Sequence, residues 1–411
     1  MNIVIICHYF HPEIGAPSAR LYEMAKHWVR EGHQVQVVTC FPNHPTGIIP
    51  EKYRGKRYIE ETVDGIKVHR NFVYATPNKG FLKKTLGHIS FMFSSVLFSI
   101  NKIERPDLII TSSPTFFSIY SGLFFRRVKK VPFVLEIRDL WPAAIVELGV
   151  LKNKLIIKIL EKIELGFYRK SNSLVMVTNS FKQNLINRGI PEEKIEVLTN
   201  GYEEELYFKR EEDIELSKEY KIGNKFVVEY VGAHGISQAL DKIILVADKL
   251  KSYPDIVFLF VGEGAEKDKL QEMTDNLKLN NIIFVDSQPK KEIPRFYSVA
   301  DVCLISLKKI DLFQTFIPSK MFEIMGCGVP LVASVEGEAA EILKESGAAI
   351  VTGCEDVEAI AGAILKLKNS PSLSLEMAKS GMEFVKQRYS RRIIAENYIH
   401  VLEKTIKEYK K

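Results

Sequence analysis

The chain has 411 residues, of which 46% are hydrophobic and 26% are charged, a composition typical of a soluble globular protein. This length suits two domains, each large enough to have its own core. The five cysteines are odd in number and widely scattered, which argues against a disulfide framework or a zinc site and favours reduced thiols in the cytoplasm. Met1 leads straight into an apolar stretch, so no secretory signal is expected.

Charge is distributed unevenly along the chain. Residues 1–200 have a formal net charge of +11 and the remaining residues have −5, within a total of +6. The basic half is therefore expected to face an anionic partner, and charge alone allows nucleic acid, an anionic lipid or a substrate that carries a pyrophosphate. Nucleic acid is disfavoured, because no base-stacking or groove-reading motif accompanies the charge.

The chain opens with the pattern of a strand, a helix and a second strand. Residues 3–7 are continuously apolar, as in a strand buried on both faces of a parallel sheet, and residues 35–40 form the next strand. Ligands bind at the carboxyl ends of such strands, and Gly15 would allow a ligand to approach the backbone closely. We interpret His8 and His11, in the same loop, as polar loop residues.

Basic residues recur in the next part of the chain. Residues 41–47 are predicted to form a loop, and residues 52–57 form a basic cluster. A helix over residues 79–100 begins with Lys79, Lys83 and Lys84 and continues with twelve uncharged residues, too few to span a bilayer. This helix is either a core element whose basic end meets a membrane or an amphipathic helix in the membrane interface. Arg126 and Arg127 belong to a basic turn that is either solvated or faces lipid.

A dense group of functional side chains follows the strand at residues 131–137. The strand runs into Arg138-Asp139-Leu140-Trp141-Pro142. Asp139 either caps the following helix or acts in an active site, and we favour the second interpretation. Further strands are predicted at residues 107–111, 174–178 and 195–198, and the charged stretch 203–220 is the expected linker.

The second half repeats the alternation of strands and helices. Strands at 226–231, 256–261 and 282–285 end in loops that contain Gly232, His234, Gly262, Gly264 and Gln288. The pair Gly262 and Gly264 is weak evidence for phosphate binding, because it lacks the third glycine of the dinucleotide fingerprint. A fourth strand covers residues 302–305.

The most informative segment covers residues 316–333 and reads as loop, short helix and strand. Pro318 and Ser319 suit a helix start, and Lys320 places a cation where the helix dipole favours negative charge. An anion held at this helix end would explain Lys320, and Glu323, one turn later, would be available to sugar hydroxyls. These features predict a nucleotide-sugar site. The alternative is an exposed Lys320–Glu323 ion pair worth only about 0.2 to 0.5 kcal/mol, and the spacing leaves both interpretations open.

Taken together, these motifs resemble glycosyltransferase family 4, whose members retain the anomeric configuration and have the GT-B fold. The resemblance covers nearly the whole chain and rests on motifs in a specific order. They are Pro12-Glu13-Ile14-Gly15, residues 31–35, Pro42-Asn43-His44-Pro45-Thr46-Gly47, Arg138-Asp139-Leu140-Trp141-Pro142, Asn200-Gly201, Val261-Gly262-Glu263-Gly264 and Pro318-Ser319-Lys320 with Phe322-Glu323. The asparagine-proline loop and the Asp-Leu-Trp-Pro run are most similar to bacterial transferases of O-antigen, capsule and colanic acid assembly, including those that move N-acetylfucosamine.

The resemblance implies an α/β fold with two facing Rossmann-like domains, parallel sheets and a cleft between them. The expected N-terminal, acceptor-binding domain covers residues 1–205 and is completed by a helix at about 391–411, and the donor-binding domain covers residues 206–390. Lys320 would neutralise the leaving diphosphate, and Glu323 would contact the donor ribose. Asp139 and Arg138 are the other expected catalytic residues. The expected donor-binding residues are Gly15, Gly232, His234, Gly262, Gly264, Gln288, Ser319, Lys320 and Glu323.

Two positions depart from the family pattern. Thr315 stands where the family has the first glutamate of its E-x7-E motif, and the usual Arg and Lys are missing from the loop 232–238. The resemblance implies that the branch of the family that transfers amino sugars has the same replacements. They therefore favour that branch as the subfamily of this chain.

The function implied is transfer of an N-acetylhexosamine, such as N-acetyl-L-fucosamine, from a UDP-sugar to an undecaprenyl-diphosphate-linked saccharide. No Asp-x-Asp triplet occurs, so no metal or other cofactor is expected. The enzyme is expected in the cytoplasm, peripherally attached to the bacterial inner membrane through Lys79, Lys83, Lys84, Arg126 and Arg127. The alternatives are a UDP-N-acetylhexosamine 2-epimerase, which would release a free sugar isomer from donor alone, and a non-catalytic membrane-associated subunit of a polysaccharide assembly.

Overall fold

The chain divides into two compact units. The structure, a computed structural model, describes residues 1–13, 15–44, 46–76, 81–113, 115–147, 149 and 151–411. The first unit comprises Met1–Asn200 and Arg392–Lys411, and the second comprises Gly201–Arg391.

The first unit is built on a sheet that has eight strands within the described part of the chain, in the order β3-β4-β2-β1-β5-β6-β7-β8. All neighbours are parallel except β3 and β4, which form an antiparallel hairpin. The strands are β1 Asn2–Ile6, β2 Gln34–Cys40, β3 Tyr58–Val63, β4 Ile66–Asn71, β5 Leu108–Ser112, β6 Phe133–Ile137, β7 Ser173–Met176 and β8 Ile195–Val197. The helices are α1 Ala16–Arg30, α2 Phe81–Ser99, α3 Phe116–Lys129, α4 Ala143–Glu147, α5 Lys154–Lys170 and α6 Asn179–Asn187.

The second unit is a parallel sheet of six strands among the described residues, in the order β11-β10-β9-β12-β13-β14. Its strands are β9 Phe226–Val231, β10 Ile256–Val261, β11 Ile282–Val285, β12 Val302–Ser306, β13 Leu331–Ser334 and β14 Ala349–Thr352. Its helices are α7 Ile214–Glu219, α8 Leu240–Lys249, α9 Lys267–Asn276, α10 Ile293–Val299, α11 Lys320–Gly326, α12 Glu338–Ser346, α13 Val357–Lys368 and α14 Pro371–Arg388.

The last helix, α15, covers Arg391–Tyr409 and packs on the first unit. The indole N–H of Trp28 in α1 donates to the carbonyl of Ala395 at 3.0 Å, and the rings of Trp28 and Tyr398 meet edge to face. Both aromatic side chains are fully buried beside β1. Burial of this apolar face against α1 fixes α15 to the first unit.

The predicted α/β fold with two Rossmann-like domains is confirmed, and the strands at 226–231, 256–261 and 282–285 have the predicted bounds. The hairpin β3–β4 was not predicted. Its strands carry Glu60, Glu61, Lys67 and Arg70, so they lack the continuous apolar run that indicates a buried parallel strand. The expected linker is only partly irregular, because it contains α7.

Candidate active site

Two glycine loops lie against each other at the carboxyl edge of the second sheet. The N–H of Gly232 donates to Val261 O, and the N–H of Gly262 donates to Val285 O, both at 2.9 Å. Gly232 and Gly262 have φ angles of 144° and 149°, which side chains disfavour. A Cβ at Gly262 would overlap the carbonyl of Gly232, and one at Gly264 would overlap the backbone of His234. Glycine is therefore required for this packing of backbone on backbone.

His234 belongs to the first of these loops. Its N–H donates to Glu263 O at 2.8 Å and its carbonyl accepts from the N–H of Glu266 at 2.9 Å. The side chain is fully buried, and burial together with the charges of Lys267 and Lys320 lowers its pKa to about 4, so the imidazole is neutral at pH 7. Within the described structure neither ring nitrogen has a hydrogen-bond partner. His234 joins the two loops through its backbone.

Lys320 is a cation that lies beside these loops. Its Nζ donates to Val231 O at 3.1 Å and lies 3.7 Å from the centroid of the Tyr230 ring. It also lies 3.1 Å from where a Cβ on Gly232 would stand. Burial of the ammonium lowers the pKa of Lys320 to about 7, although Cys303 and Glu323 oppose this shift. A desolvated cation is thus held beside the glycine loops.

The other predicted donor-binding residues of this unit differ in their surroundings. Lys320 is the first residue of α11, which confirms the predicted helix start, and the side chain of Ser319 makes no capping hydrogen bond. Glu323 is partly exposed. Burial is the main cause that raises the pKa of the Tyr297 phenol, and the nearby charge of Glu323 raises it further. The Gln288 side chain donates to Asp286 O at 3.1 Å, within its own loop.

Thr315, at the place of the family glutamate, makes a local contact. Its hydroxyl donates to Leu312 O at 2.6 Å, within a 3₁₀ turn over Asp311–Thr315. A neutral hydroxyl satisfied by its own turn supplies no charge to the site. Across the described residues, no group of three or more His, Cys, Asp or Glu side chains is arranged to hold a metal ion.

A buried ion pair connects α1 to β6 at the carboxyl edge of the first sheet. Arg20 Nε of α1 donates to Glu136 Oε1 of β6 at 2.8 Å, and Ser112 at the end of β5 donates to the other carboxylate oxygen at 2.7 Å. The same guanidinium donates to Leu198 O and Thr199 O, beyond β8. Burial alone would raise the pKa of Glu136, but the charges of Arg20 and Arg138 hold it below its usual value. This network connects α1 to the ends of three strands.

Arg138 and Asp139 follow β6 directly, where the sequence predicted them. The N–H of Arg138 donates to Ser113 Oγ at 3.2 Å. Burial raises the pKa of Asp139, and the adjacent Arg138 charge partly offsets this shift. The two side chains therefore lie at the same sheet edge as the Arg20–Glu136 pair. Gly15, with a φ of 144°, precedes α1 at this edge and is exposed.

Glu13 is a structural residue of this edge whose role the sequence did not reveal. Its Oε1 accepts from the N–H groups of Asn43 and His44 at 2.8 and 2.9 Å, and its Oε2 accepts from Phe10 at 3.3 Å. Burial raises the pKa of Glu13, against the effect of these hydrogen bonds. The carboxylate joins the loop after β1 to the asparagine-proline loop. In the sequence, this connection was indicated solely by the presence of both motifs, Pro12-Glu13-Ile14-Gly15 and the asparagine-proline loop.

A polar pocket lies next to this connection. Its lining includes His8, Tyr9, His44, Lys83, Lys84 and His88. The His8 and His88 rings are 4.2 Å apart, and burial, reinforced by neighbouring charges that include Lys84, lowers both of their pKa values. His8 lies in the loop after β1, as the sequence predicted, and it is buried against Phe91 of α2.

The residues predicted to meet acceptor or membrane have different surroundings. Lys83 and Lys84 are exposed on α2 and Arg127 is exposed on α3, whereas Arg126 donates to Lys170 O at the end of α5. Lys79 lies outside the described residues. Of the helices in the described part of the chain, none is both long and apolar enough to cross a bilayer.

Two family models match successive parts of the chain. A model described as Glycosyltransferase Family 4 matches residues 18–206, and one described as Glycosyl transferases group 1 matches residues 212–384. Together they cover most of both units.

Known proteins that are similar to the chain in sequence or fold include glycosyltransferases. The chain is 26% identical over 377 residues, 89% of this chain and 91% of the other, to WcaI of Escherichia coli (strain K12), named, provisionally, as a colanic acid biosynthesis glycosyl transferase. It is 22% identical to one component of the human phosphatidylinositol N-acetylglucosaminyltransferase, over 96% of this chain and 74% of the other. The fold is similar to that of Anabaena HepE in complex with UDP-glucose, with a TM-score of 0.74 and 16% identity over 98% of this chain and 99% of the other.

Proposed function

Because the chain is a glycosyltransferase with the GT-B fold, we propose that it transfers a sugar from a UDP-sugar to a lipid-diphosphate-linked saccharide, with retention of configuration. The product would belong to a bacterial surface polysaccharide such as O-antigen or capsule. The observation that carries the proposal is the desolvated ammonium of Lys320 beside two glycine loops.

The donor diphosphate is proposed to bind over the Gly232 and Gly262 loops. Within the described residues Lys320 donates to a neutral carbonyl, and a diphosphate would stabilise its protonated form much more strongly. Backbone that is free of side chains would let the phosphates approach closely, and Glu323 would accept from ribose hydroxyls. HepE is named as a complex with UDP-glucose, which supports UDP as the nucleotide.

The transferred sugar is proposed to be an N-acetylhexosamine, with N-acetyl-L-fucosamine as one candidate. The relative named for N-acetylglucosamine transfer supports the class, and the relative named for colanic acid synthesis supports a polysaccharide product. An undecaprenyl-diphosphate-linked acceptor would suit the net charge of +11 on residues 1–200. We propose that the enzyme acts at the cytoplasmic face of the inner membrane, where such acceptors are accessible.

The reaction is proposed to occur on one face of the sugar. The bond from the anomeric carbon to the diphosphate oxygen breaks, the bond to the acceptor oxygen forms on the same face, and the acceptor proton passes to the departing phosphate. Lys320 would stabilise the charge that develops on the diphosphate, which is the main electrostatic demand of this step. Asp139 and Arg138 are proposed to orient the transferred sugar.

Turnover with defined donors and acceptors tests the proposal. UDP-N-acetylhexosamines are incubated with a lipid-diphosphate-linked saccharide, UDP release is measured, and the anomeric configuration of the product is read by NMR. We expect UDP release to require acceptor, the product to retain configuration, and Lys320→Ala to lower kcat/KM by at least about 100-fold. Lys344→Ala, at an exposed lysine of the same unit, is the matched control.

Two outcomes would contradict the proposal. Release of UDP and a free 2-epimer from donor alone would indicate an epimerase. Absence of turnover, together with normal polysaccharide synthesis in cells that carry Lys320→Ala, would indicate a non-catalytic subunit.

A further inference from the structure

The basic cluster at residues 52–57 borders a hollow that the proposed reaction does not use. The hollow lies in the first unit and has a volume of about 430 Å³, within the range of small-molecule sites. Its lining combines apolar and cationic side chains, namely Phe41, Ile49, Tyr53, Arg54, Lys56, Arg57, Phe72 and Phe98, with the backbone of Gly55.

The apolar wall of the hollow is held in place by the fold. The rings of Phe41 and Tyr53 are buried and stacked, with centroids 5.3 Å apart. The N–H of Phe72 donates to Arg57 O at 3.0 Å, and its carbonyl accepts from Ser94 of α2 at 2.6 Å. The Phe72 ring is nevertheless 43% exposed, so an apolar surface at the end of β4 is open to an occupant.

The cations at the rim have no local counter-charge. Arg54, Lys56 and Arg57 are exposed, and in the part of the chain that the structure describes no carboxylate lies within ion-pair distance of them. Their neighbour Lys52 differs, because it pairs with Glu61 at 3.6 Å. Three uncompensated cations next to an apolar hollow suit a ligand with a phosphate at one end and a hydrocarbon chain at the other.

The surface next to the hollow is also apolar. Leu86, Phe93 and Leu97 of α2 are 54%, 66% and 72% exposed, and their spacing places them along one face of the helix. Phe98, which lines the hollow, directly follows Leu97. The opposite face of α2, with Phe91 and Ser95, is buried. An exposed apolar face of this length next to exposed cations is typical of a surface that lies on an anionic bilayer.

We propose that the hollow binds one anionic phospholipid of the bilayer. Its phosphate would lie at Arg54, Lys56 and Arg57, one acyl chain would enter between Phe72 and Phe98, and the exposed face of α2 would enter the interface. The hollow has the size for a single acyl chain, whereas a free phosphate would leave its apolar wall in water. This inference rests on the proposed function only in that the enzyme works at a membrane, and no step of it involves the donor or acceptor.

Vesicle binding by the full-length protein tests the charged rim. Partitioning is measured on phosphatidylcholine vesicles with and without phosphatidylglycerol. We expect binding that depends on phosphatidylglycerol, and a triple variant with Arg54→Gln, Lys56→Gln and Arg57→Gln should bind about 100-fold more weakly. The matched control carries Lys218→Gln, Lys344→Gln and Lys379→Gln, the same change of charge at exposed positions of the second unit. Equal losses in both variants would contradict the proposal.

A fluorescence measurement tests the apolar hollow itself. Phe72→Trp is compared with Phe208→Trp, a similarly exposed position of the second unit, on vesicles whose acyl chains carry bromine, with the signal of the wild type subtracted. We expect quenching at position 72 and none at position 208. Equal quenching, or its loss when a lipid-linked saccharide is added, would overturn the assignment to a phospholipid.

Measurements of turnover on a soluble acceptor distinguish a failure of this inference from a failure of the proposed function. On a water-soluble acceptor without a lipid chain, the triple variant should turn over at the wild-type rate while its vesicle binding is lost. Loss of folding in the variant would appear as a change in its unfolding temperature, and the Phe72→Trp measurement does not require removal of charge. Vesicle binding needs no donor, so absence of turnover in the wild type would contradict only the proposed function.

Discussion

The two sheet edges that carry the predicted site residues are constructed differently. At the edge of the first sheet, buried charges have partners within the protein, because Arg20 pairs with Glu136 and Glu13 accepts three backbone N–H groups. At the edge of the second sheet, the backbones of Gly232 and Gly262 pack directly on each other. Lys267 is paired there with Glu263 and Asp286, whereas Lys320 donates to a neutral carbonyl.

This difference separates a role in folding from a role in binding. Buried charges that are already paired stabilise the loops they join and have little left to offer a ligand. A desolvated cation whose pKa is lowered to about 7 gains most when an anion arrives. The Arg20–Glu136 pair and Glu13 should therefore respond to mutation mainly in stability, and Lys320 mainly in donor affinity.

The largest effect is expected from Arg20→Met, which leaves Glu136 buried without its main partner. We expect the free energy of unfolding to fall by about 3 to 5 kcal/mol, because an unpaired buried charge is not compensated. Urea unfolding monitored by circular dichroism measures this change. Arg392→Met is the control, since its exposed pair with Glu396 at 2.8 Å should contribute no more than about 0.5 kcal/mol. Similar losses of unfolding free energy in the two variants would contradict the claim that the buried pair stabilises the fold more than the exposed pair does.

Gly262→Ala should affect both stability and binding. Its Cβ would overlap the carbonyl of Gly232, and the φ of 149° disfavours any side chain, so we expect a loss of about 2 to 4 kcal/mol in the free energy of unfolding. Thermal unfolding and UDP binding are measured on the same sample. Gly353→Ala, where a Cβ would meet no atom within 4 Å, should change neither. A stable Gly262→Ala with full affinity would refute the close packing of the loops.

The pH dependence of donor affinity should distinguish Lys320 from an ordinary surface lysine. The pKa of Lys320 in the free protein is lowered to about 7, and a bound diphosphate would raise it. Below pH 7 the ammonium is already protonated, and affinity for a UDP-sugar should not change with pH. Above pH 7 binding must take up a proton, so affinity should fall by up to tenfold, or about 1.4 kcal/mol, per pH unit.

Calorimetry between pH 6.5 and 9, in buffers of different ionisation enthalpy, measures both the affinity and the proton uptake. Lys320→Met should bind weakly at every pH and take up no proton. A flat profile for the wild type would mean that Lys320 is not the group that meets the diphosphate.

The smallest effect is expected from Glu13→Gln. The neutral amide keeps one acceptor oxygen for the N–H groups of Asn43 and His44, but it loses the charge that strengthens these hydrogen bonds and the second oxygen that accepts from Phe10, so we expect a loss of about 1 kcal/mol in stability. Thermal unfolding measures it, and UDP affinity should be unchanged. An effect on UDP affinity alone would contradict the assignment of Glu13 to loop structure.

The sequence allowed much of the fold to be predicted, for a physical reason. A strand such as β10 is buried on both faces and therefore appears as an uninterrupted apolar run. The hairpin β3–β4 escaped prediction because charged residues interrupt both of its strands. Its stability depends on pairing with β2, which only the folded chain provides.

The site was predictable as a set of residues but not as an arrangement. Lys320 was conspicuous because a cation at a helix start opposes the dipole, yet its position over the Tyr230 ring depends on a strand 89 residues away in the chain. Arg20 was missed because its partner, Glu136, is 116 residues distant and lies within an apolar strand. The roles of the individual site residues and of the two units in binding donor and acceptor stay predictions.

The most direct test of the central claim, that the second unit binds the UDP-sugar through Lys320, is calorimetry of UDP with the wild type, Lys320→Ala and Glu323→Ala, each checked for folding. We predict that the wild type binds UDP, that Lys320→Ala weakens binding by at least about tenfold, and that Glu323→Ala weakens it less. No binding of UDP by the folded wild type, or equal binding by all three proteins, would contradict the account.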